Sequence, residues 1–189
     1  MYILAKSVLA LMIGFIASVL LGLILVPLLK KIKADQTTSR FVKAHKGKSG
    51  TPTMGGLIFT LSTIITIFAL YITNKLKISS NLIIILFVFF GYGLIGFVDD
   101  FLKIKYQSNE KGLTRMQKFI AQTLLAIVFF YIYIRNGSNP IIEIYALNLE
   151  INLGFMYGFF ILFMLVGTSN AVNLTDGLDG LAAGLSAIA

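Results

Sequence analysis

Long apolar runs recur along this chain, and nearly every charged residue falls between them rather than within them. A helix needs about 20 mainly apolar residues to cross a hydrocarbon core about 30 Å thick. In that core, only helices and closed barrels satisfy their own backbone polar groups. The chain has 189 residues, 57% of them apolar, against about 45–50% in a typical soluble domain. The excess needs lipid as its solvent.

Tested by length, the runs predict a helix over residues 3–29, closed by Lys30, Lys31 and Lys33, and a second over 56–72 carrying Thr60, Ser62, Thr63 and Thr66. A third covers 82–98, where the GYGLIG stretch favours close approach of a neighbouring helix, and it stops at Asp99 and Asp100. A fourth covers 117–134 and ends at Arg135, Asn136 and Gly137. The fifth, 153–167, is short for a crossing, so it either lengthens through 168–171 or thins the bilayer locally. Residues 140–152, with Glu143 and Glu150 among apolar neighbours, read as a short hairpin or an interfacial stretch.

The first run is longer than a signal-peptide core, and no small-residue cleavage site precedes its lysines, so it is read as a retained helix. Residues 181–189 begin a sixth helix that rises only about 14 Å at 1.5 Å per residue. An unfinished helix leaves carbonyls in hydrocarbon, so the chain reads as the N-terminal part of a longer protein. The expected fold is therefore all-α, a polytopic transmembrane helix bundle of about five full spans plus the start of a sixth, forming one integral membrane domain over 1–189.

Twelve of the sixteen Lys and Arg residues lie in the stretches 30–48 and 103–118. Basic loops stay on the cytoplasmic side, which puts the amino terminus outside and gives cytoplasmic loops at about 30–55, 99–116 and 168–180. The net charge of +8 is thus topological and implies no nucleic acid. With no cysteine in the chain, thiol redox chemistry and thiolate metal sites are excluded.

Three polar segments fall on that one side. Asp99 and Asp100 read either as solvated interfacial acids offset by Lys103 and Lys105, or as a general base or divalent-cation site, since Mg²⁺ is typically shared between one or two carboxylates and substrate phosphates. NAVNLTDGLDG offers Asn170, Asn173, Asp176 and Asp179 with two glycines. It is either a polar turn or a phosphate and nucleotide site, and no glutamate follows where a calcium-binding EF-hand loop requires one. HKGKSGTPTMGG combines Lys46 and Lys48 with a glycine turn, yet lacks the P-loop spacing GxxxxGK[ST]. His45 reads as a bystander. Cation, carboxylate and glycine turn together suit a diphosphate substrate.

KSGTPTMGG (48–56), GFVDDFLK (96–103) and SNAVNLTDGLDGLAAG (169–184) resemble, in order and over most of the chain, the bacterial phospho-N-acetylmuramoyl-pentapeptide transferase family. That family lies within the superfamily of polyprenyl-phosphate N-acetylhexosamine-1-phosphate transferases. The resemblance implies a fold of about ten helices, of which this chain holds about half. It also implies transfer of phospho-N-acetylmuramoyl-pentapeptide from its UDP donor to undecaprenyl phosphate with Mg²⁺, giving lipid I and UMP in peptidoglycan synthesis at the bacterial inner membrane. Asp99 would bind or deprotonate the lipid phosphate and Asp100 would support that phosphate or the metal, with Asp176 as a second metal ligand. Lys48 and Thr53 would approach the diphosphate or nucleotide, and Asn170, Asn173, Asp176 and Asp179 would shape its pocket.

The chain stops before the later segments that supply the family's third metal-binding Asp and its histidine cluster, so this polypeptide alone is expected to be inactive. Membrane lipid and both substrates are the expected partners, with a homodimer allowed. One alternative is a transferase of teichoic acid or O-antigen priming that takes UDP-N-acetylglucosamine. The other is a transporter, which would need acids inside its helices.

Overall fold

The computed structural model describes residues 2–31, 53–108, 111–175 and 181–188. Lys48, Asp176 and Asp179 lie outside them, as do Lys46 and His45. The chain forms two compact units, Met1–Arg115 and Met116–Ala189.

In the first unit, α1 (Tyr2–Lys31) runs as one helix through Pro27. It packs on α2 (Gly56–Ile72), which is followed by α3 (Ser80–Tyr106). The α1–α2 contact uses small and hydroxyl residues. Ser18 Oγ donates to Ser62 Oγ at 3.0 Å, and Gly14 leaves room beside Thr66 Oγ1. The three threonine hydroxyls of α2 are satisfied inside the helix: Thr60 donates to Gly56 O at 2.9 Å, Thr63 to Phe59 O at 2.8 Å and Thr66 to Ser62 O at 2.8 Å. A hydroxyl that returns its proton to the preceding turn adds little polar demand to an apolar helix.

The second unit holds most of α4 (Arg115–Arg135), a two-stranded antiparallel hairpin of β1 (Ile141–Ile144) and β2 (Leu149–Asn152), then α5 (Met156–Thr175) and the short α6 (Leu181–Ile188). The segment 140–152 is thus a hairpin, closed by Leu153 N–H donating to Pro140 O at 3.0 Å. Its register sets Glu143 opposite Glu150. Gly158 of α5 lies so close to the Phe130 ring of α4 that a methyl group there would stand 2.9 Å from it. Tyr133 and Tyr157 stack near the same end, with ring centroids 5.6 Å apart.

Four of the described helices are long and apolar enough to cross a membrane, Ile3–Lys31, Ser80–Tyr106, Arg115–Arg135 and Met156–Thr175, and the chain is a membrane protein. The 17 residues of α2 match the second expected helix but fall short of that length. At 1.5 Å per residue it reaches about 26 Å, within what local thinning of a bilayer accommodates.

The fifth helix begins at Met156 rather than 153, and two helix C-termini run beyond the sequence expectation. The third helix does not stop at Asp99 but continues to Tyr106, and the fifth lengthens past Ala171 to Thr175. Hydropathy reports where apolar side chains end. A helix ends only where its backbone can be capped, and at α3 the cap is a Schellman motif beyond Tyr106. Ser108 N–H reaches Lys103 O at 3.1 Å and Gln107 N–H reaches Ile104 O at 3.2 Å, with Gln107 left-handed at φ 50°.

Candidate active site

Because α3 runs on, Asp99 and Asp100 lie about two turns inside it, beyond reach of the partial negative charge at its C-terminus, which acts over about one turn. Lys103 and Lys105 occupy the last turn, where a cation is favoured. Lys103 stands four residues after Asp99 and three after Asp100, on the same helix face. Its Nζ is 2.7 Å from Asp99 Oδ2 and 3.5 Å from Asp100 Oδ1.

The two aspartates differ in what else they meet. Asp99 is buried, its side chain 7% exposed, and its Oδ1 accepts from Leu113 N–H at 2.8 Å. Asp100 has a side chain 31% exposed, and its Oδ2 accepts from Met54 N–H at 3.2 Å. Each carboxylate thus has one oxygen on a backbone donor from outside α3 and one turned to the shared ammonium.

Met54 delivers its N–H from an unusual backbone. It is left-handed at φ 68°, which costs a non-glycine residue about 1–2 kcal/mol. Gly55 and Gly56 follow at the start of α2, where Leu57 N–H donates to Met54 O at 3.0 Å. Thr53 is the residue before this turn, so the structure brings Thr53, Asp99 and Asp100 into one region of the first unit. Between α2 and α3 lies a groove of about 200 Å³ with Asp100 and Met54 at its polar end and Gly56, Thr60, Gly93 and Phe97 along it.

Asn170 and Asn173 lie on α5 in the second unit, not in a loop. Asn170 donates through Nδ2 to Gln122 Oε1 at 2.8 Å and to Val166 O at 2.7 Å, while Gln122 Nε2 donates to Ser169 Oγ at 3.2 Å. Asn170 therefore helps join α4 to α5. Asn173, nearly one turn further on, is exposed.

Sequence reasoning missed Met54, Gly112, Leu113 and Gln122. Met54 and Leu113 act through backbone N–H groups, which carry no residue-type signal. Gln122 was legible as an amide in an apolar run, whereas Gly112, twelve residues after Asp100, carried no signal of its closeness to Asp99. Among the described residues no group of three or more acids and histidines could hold a metal. The open carboxylate of Asp100 nevertheless fits Mg²⁺, which usually takes one or two protein carboxylates and completes its shell with water and phosphate.

The glycosyl transferase family 4 model matches residues 82–189, and the phospho-N-acetylmuramoyl-pentapeptide-transferase signature 1 matches residues 48–59. The chain is 47% identical over 184 residues to a phospho-N-acetylmuramoyl-pentapeptide-transferase of Geobacillus sp. (strain WCH70), covering 96% of this chain and 56% of the relative. It is 47% identical over 180 residues to the protein of that name from Bacillus subtilis (strain 168), covering 94% and 55%. With the one from Oceanobacillus iheyensis the identity is 42% over 178 residues, covering 94% and 54%. The chain spans about half the length of the curated relatives it matches. Since the family model takes in α3 with both aspartates, α4, α5 and the Asn/Asp/Gly segment, more than half of the chain, the chain belongs to glycosyl transferase family 4.

Proposed function

We propose that the protein transfers phospho-N-acetylmuramoyl-pentapeptide from its UDP donor to undecaprenyl phosphate, forming lipid I and UMP, at the cytoplasmic face of a bacterial inner membrane with the amino terminus outside. One observation carries the choice of reaction. The segment matched by the muramoyl-pentapeptide signature, 48–59, is the segment whose Met54 N–H holds Asp100.

In this reaction an oxygen of the lipid phosphate attacks the phosphorus that bears the sugar. The bond from that phosphorus to the uridylyl oxygen breaks, and UMP leaves with the electron pair. Two anions must approach, so the barrier is largely electrostatic and catalysis is largely positioning. Mg²⁺, held by Asp100 with Asp176 as a candidate second ligand, would offset charge on the phosphates. The greater exposure of Asp100 supports giving it this role. The burial of Asp99 and its contacts to Leu113 and Lys103 support a different role, holding Lys103 beside the open carboxylate.

Lys48 and Thr53 are assigned to the diphosphate or nucleotide, together with Asn173, Asp176 and Asp179. The exposure of Asn173 is consistent with that role. The bonds of Asn170 to Gln122 and Val166 favour a part in aligning α5 instead.

The test is UMP release by the full-length protein in detergent with Mg²⁺ and undecaprenyl phosphate, comparing UDP-N-acetylmuramoyl-pentapeptide with UDP-N-acetylglucosamine. Release from the first donor only is the expected result. Release from the second donor only would establish the priming transferase instead, and ion flux in proteoliposomes without UMP release would establish a transporter.

A further inference from the structure

The chain after α3 returns to that helix at Asp99. Leu113 N–H donates to Asp99 Oδ1 at 2.8 Å, and Gly112 lies against the same oxygen. A methyl carbon on Gly112 would stand 2.5 Å from Asp99 Oδ1, and 2.9 and 3.2 Å from Cε and Cγ of Lys103. The lysine stem is flexible and could give way. The aspartate is confined, because its side chain is 7% exposed and its other oxygen lies 2.7 Å from Lys103 Nζ.

The backbone of Gly112 is not left-handed, unlike Gly137 at φ 77° and Gly154 at φ 49°. What this position requires is space, not conformational freedom. A side chain here would push residues 111–114 off α3, remove the Leu113 hydrogen bond or displace the Asp99 carboxylate, and in each case Asp99, the partner that orients Lys103, would be less firmly held.

We infer that Gly112 is a positioning residue for phospho-sugar transfer: its missing side chain lets residues 111–114 close on Asp99, which in turn fixes Lys103 beside Asp100. The inference rests on the reading that this cluster serves the transfer. Its core, the steric coupling of Gly112 to Asp99, can be measured independently of activity.

The experiment compares full-length wild type, Gly112→Ala, Asp99→Ala and the double variant, by Tm in detergent and by turnover per folded molecule. Gly112→Ala is expected to lower Tm and to reduce kcat about tenfold or more, as small displacements of reacting groups do. The donor KM should stay within about twofold, because ground-state binding is not what the displacement removes. In the Asp99→Ala background the oxygen that a methyl group would strike is gone, so adding Gly112→Ala should leave Tm unchanged. Should Gly112→Ala fail to fold while the double variant folds, the coupling is equally established.

An equal Tm loss in both backgrounds, failure of the double variant to fold, or a single variant with wild-type kcat would each overturn the inference. If the wild type releases no UMP, the proposed function fails instead, and the Tm comparison still decides the coupling.

Discussion

The Asp99–Asp100–Lys103 cluster of the first unit and the Gln122–Ser169–Asn170 cluster of the second are both polar groups on apolar helices, but their polar capacity goes to different ends. In the second, side chain meets side chain between α4 and α5, and Ala126 one turn beyond Gln122 is 1% exposed. Amides there are bound to one another and join two helices. In the first, each carboxylate takes a backbone N–H from outside α3 and shares a lysine, and one of the two keeps an open side. Neutral polar groups in a membrane helix serve association at modest gain, whereas ionised groups are costly there and mark function.

The sharpest way to break that contrast is Asp100→Asn in the full-length protein. It keeps the shape but removes the charge, and turnover should fall about 10²–10³-fold, the scale for losing one electrostatic contact to a transition state, while Tm stays near wild type. A fall in Tm with turnover preserved would make the aspartate a packing residue and erase the difference between the clusters.

Gln122→Leu probes the other side of the comparison. It should destabilise the α4–α5 pair by about 1 kcal/mol, as for interhelical hydrogen bonds in membranes, read by thermal unfolding in detergent, with turnover per folded molecule and donor KM unchanged. A raised donor KM would return Asn170, its partner, to the nucleotide pocket.

The ends of α3 and α4 allow a finer test. Both close in Schellman motifs; at α4, Ser138 N–H reaches Tyr133 O at 3.3 Å and Gly137 N–H reaches Ile134 O at 3.0 Å. The left-handed position is Gly137 at φ 77° in α4 but Gln107 at φ 50° in α3. Gln107→Gly should therefore stabilise the first unit by up to about 1 kcal/mol, measured by denaturant or thermal unfolding, and Gly137→Ala should do the reverse in the second.

The smallest effect belongs to a polar contact outside both clusters. Tyr145 on the hairpin donates to Glu143 Oε2 at 2.5 Å, and that hydrogen bond, with the charges of Glu143 and then Glu150, raises its phenol above the ordinary value of 10.0. A raised acid stabilises the folded form below the unfolded tyrosine value and loses that contribution as pH rises through the folded one. The hairpin should therefore loosen only in strong alkali. Glu143→Gln should bring the Tyr145 titration, followed by phenolate absorbance, back toward its ordinary range, and an unchanged titration would show that the contact does not persist in solution.

How far the sequence was legible follows from the kind of signal. The α2 bounds were readable because Thr73, Asn74 and Lys75 interrupt the apolar run where the chain also turns, Asn74 N–H reaching Tyr71 O at 3.0 Å. The ends of α3 and α5 were not, because Asp99 to Tyr106 and Thr168 to Thr175 are polar enough to look like loops, although their backbones still close intrahelical bonds. The acids themselves were legible as acids. Which one is open was not, since Asp99 and Asp100 are neighbours of identical chemistry.

The spacing of apolar runs and the order of the polar motifs determined by themselves that this chain is a set of membrane helices with acids beside lysines, because hydrophobicity is a property of local composition. Tertiary structure alone decided that Met54 caps one carboxylate, that Gly112 and Leu113 cover the other, and that Asp100 keeps the exposed side. Those outcomes depend on where distant backbone N–H groups return in space, about which residue types along the chain carry no information.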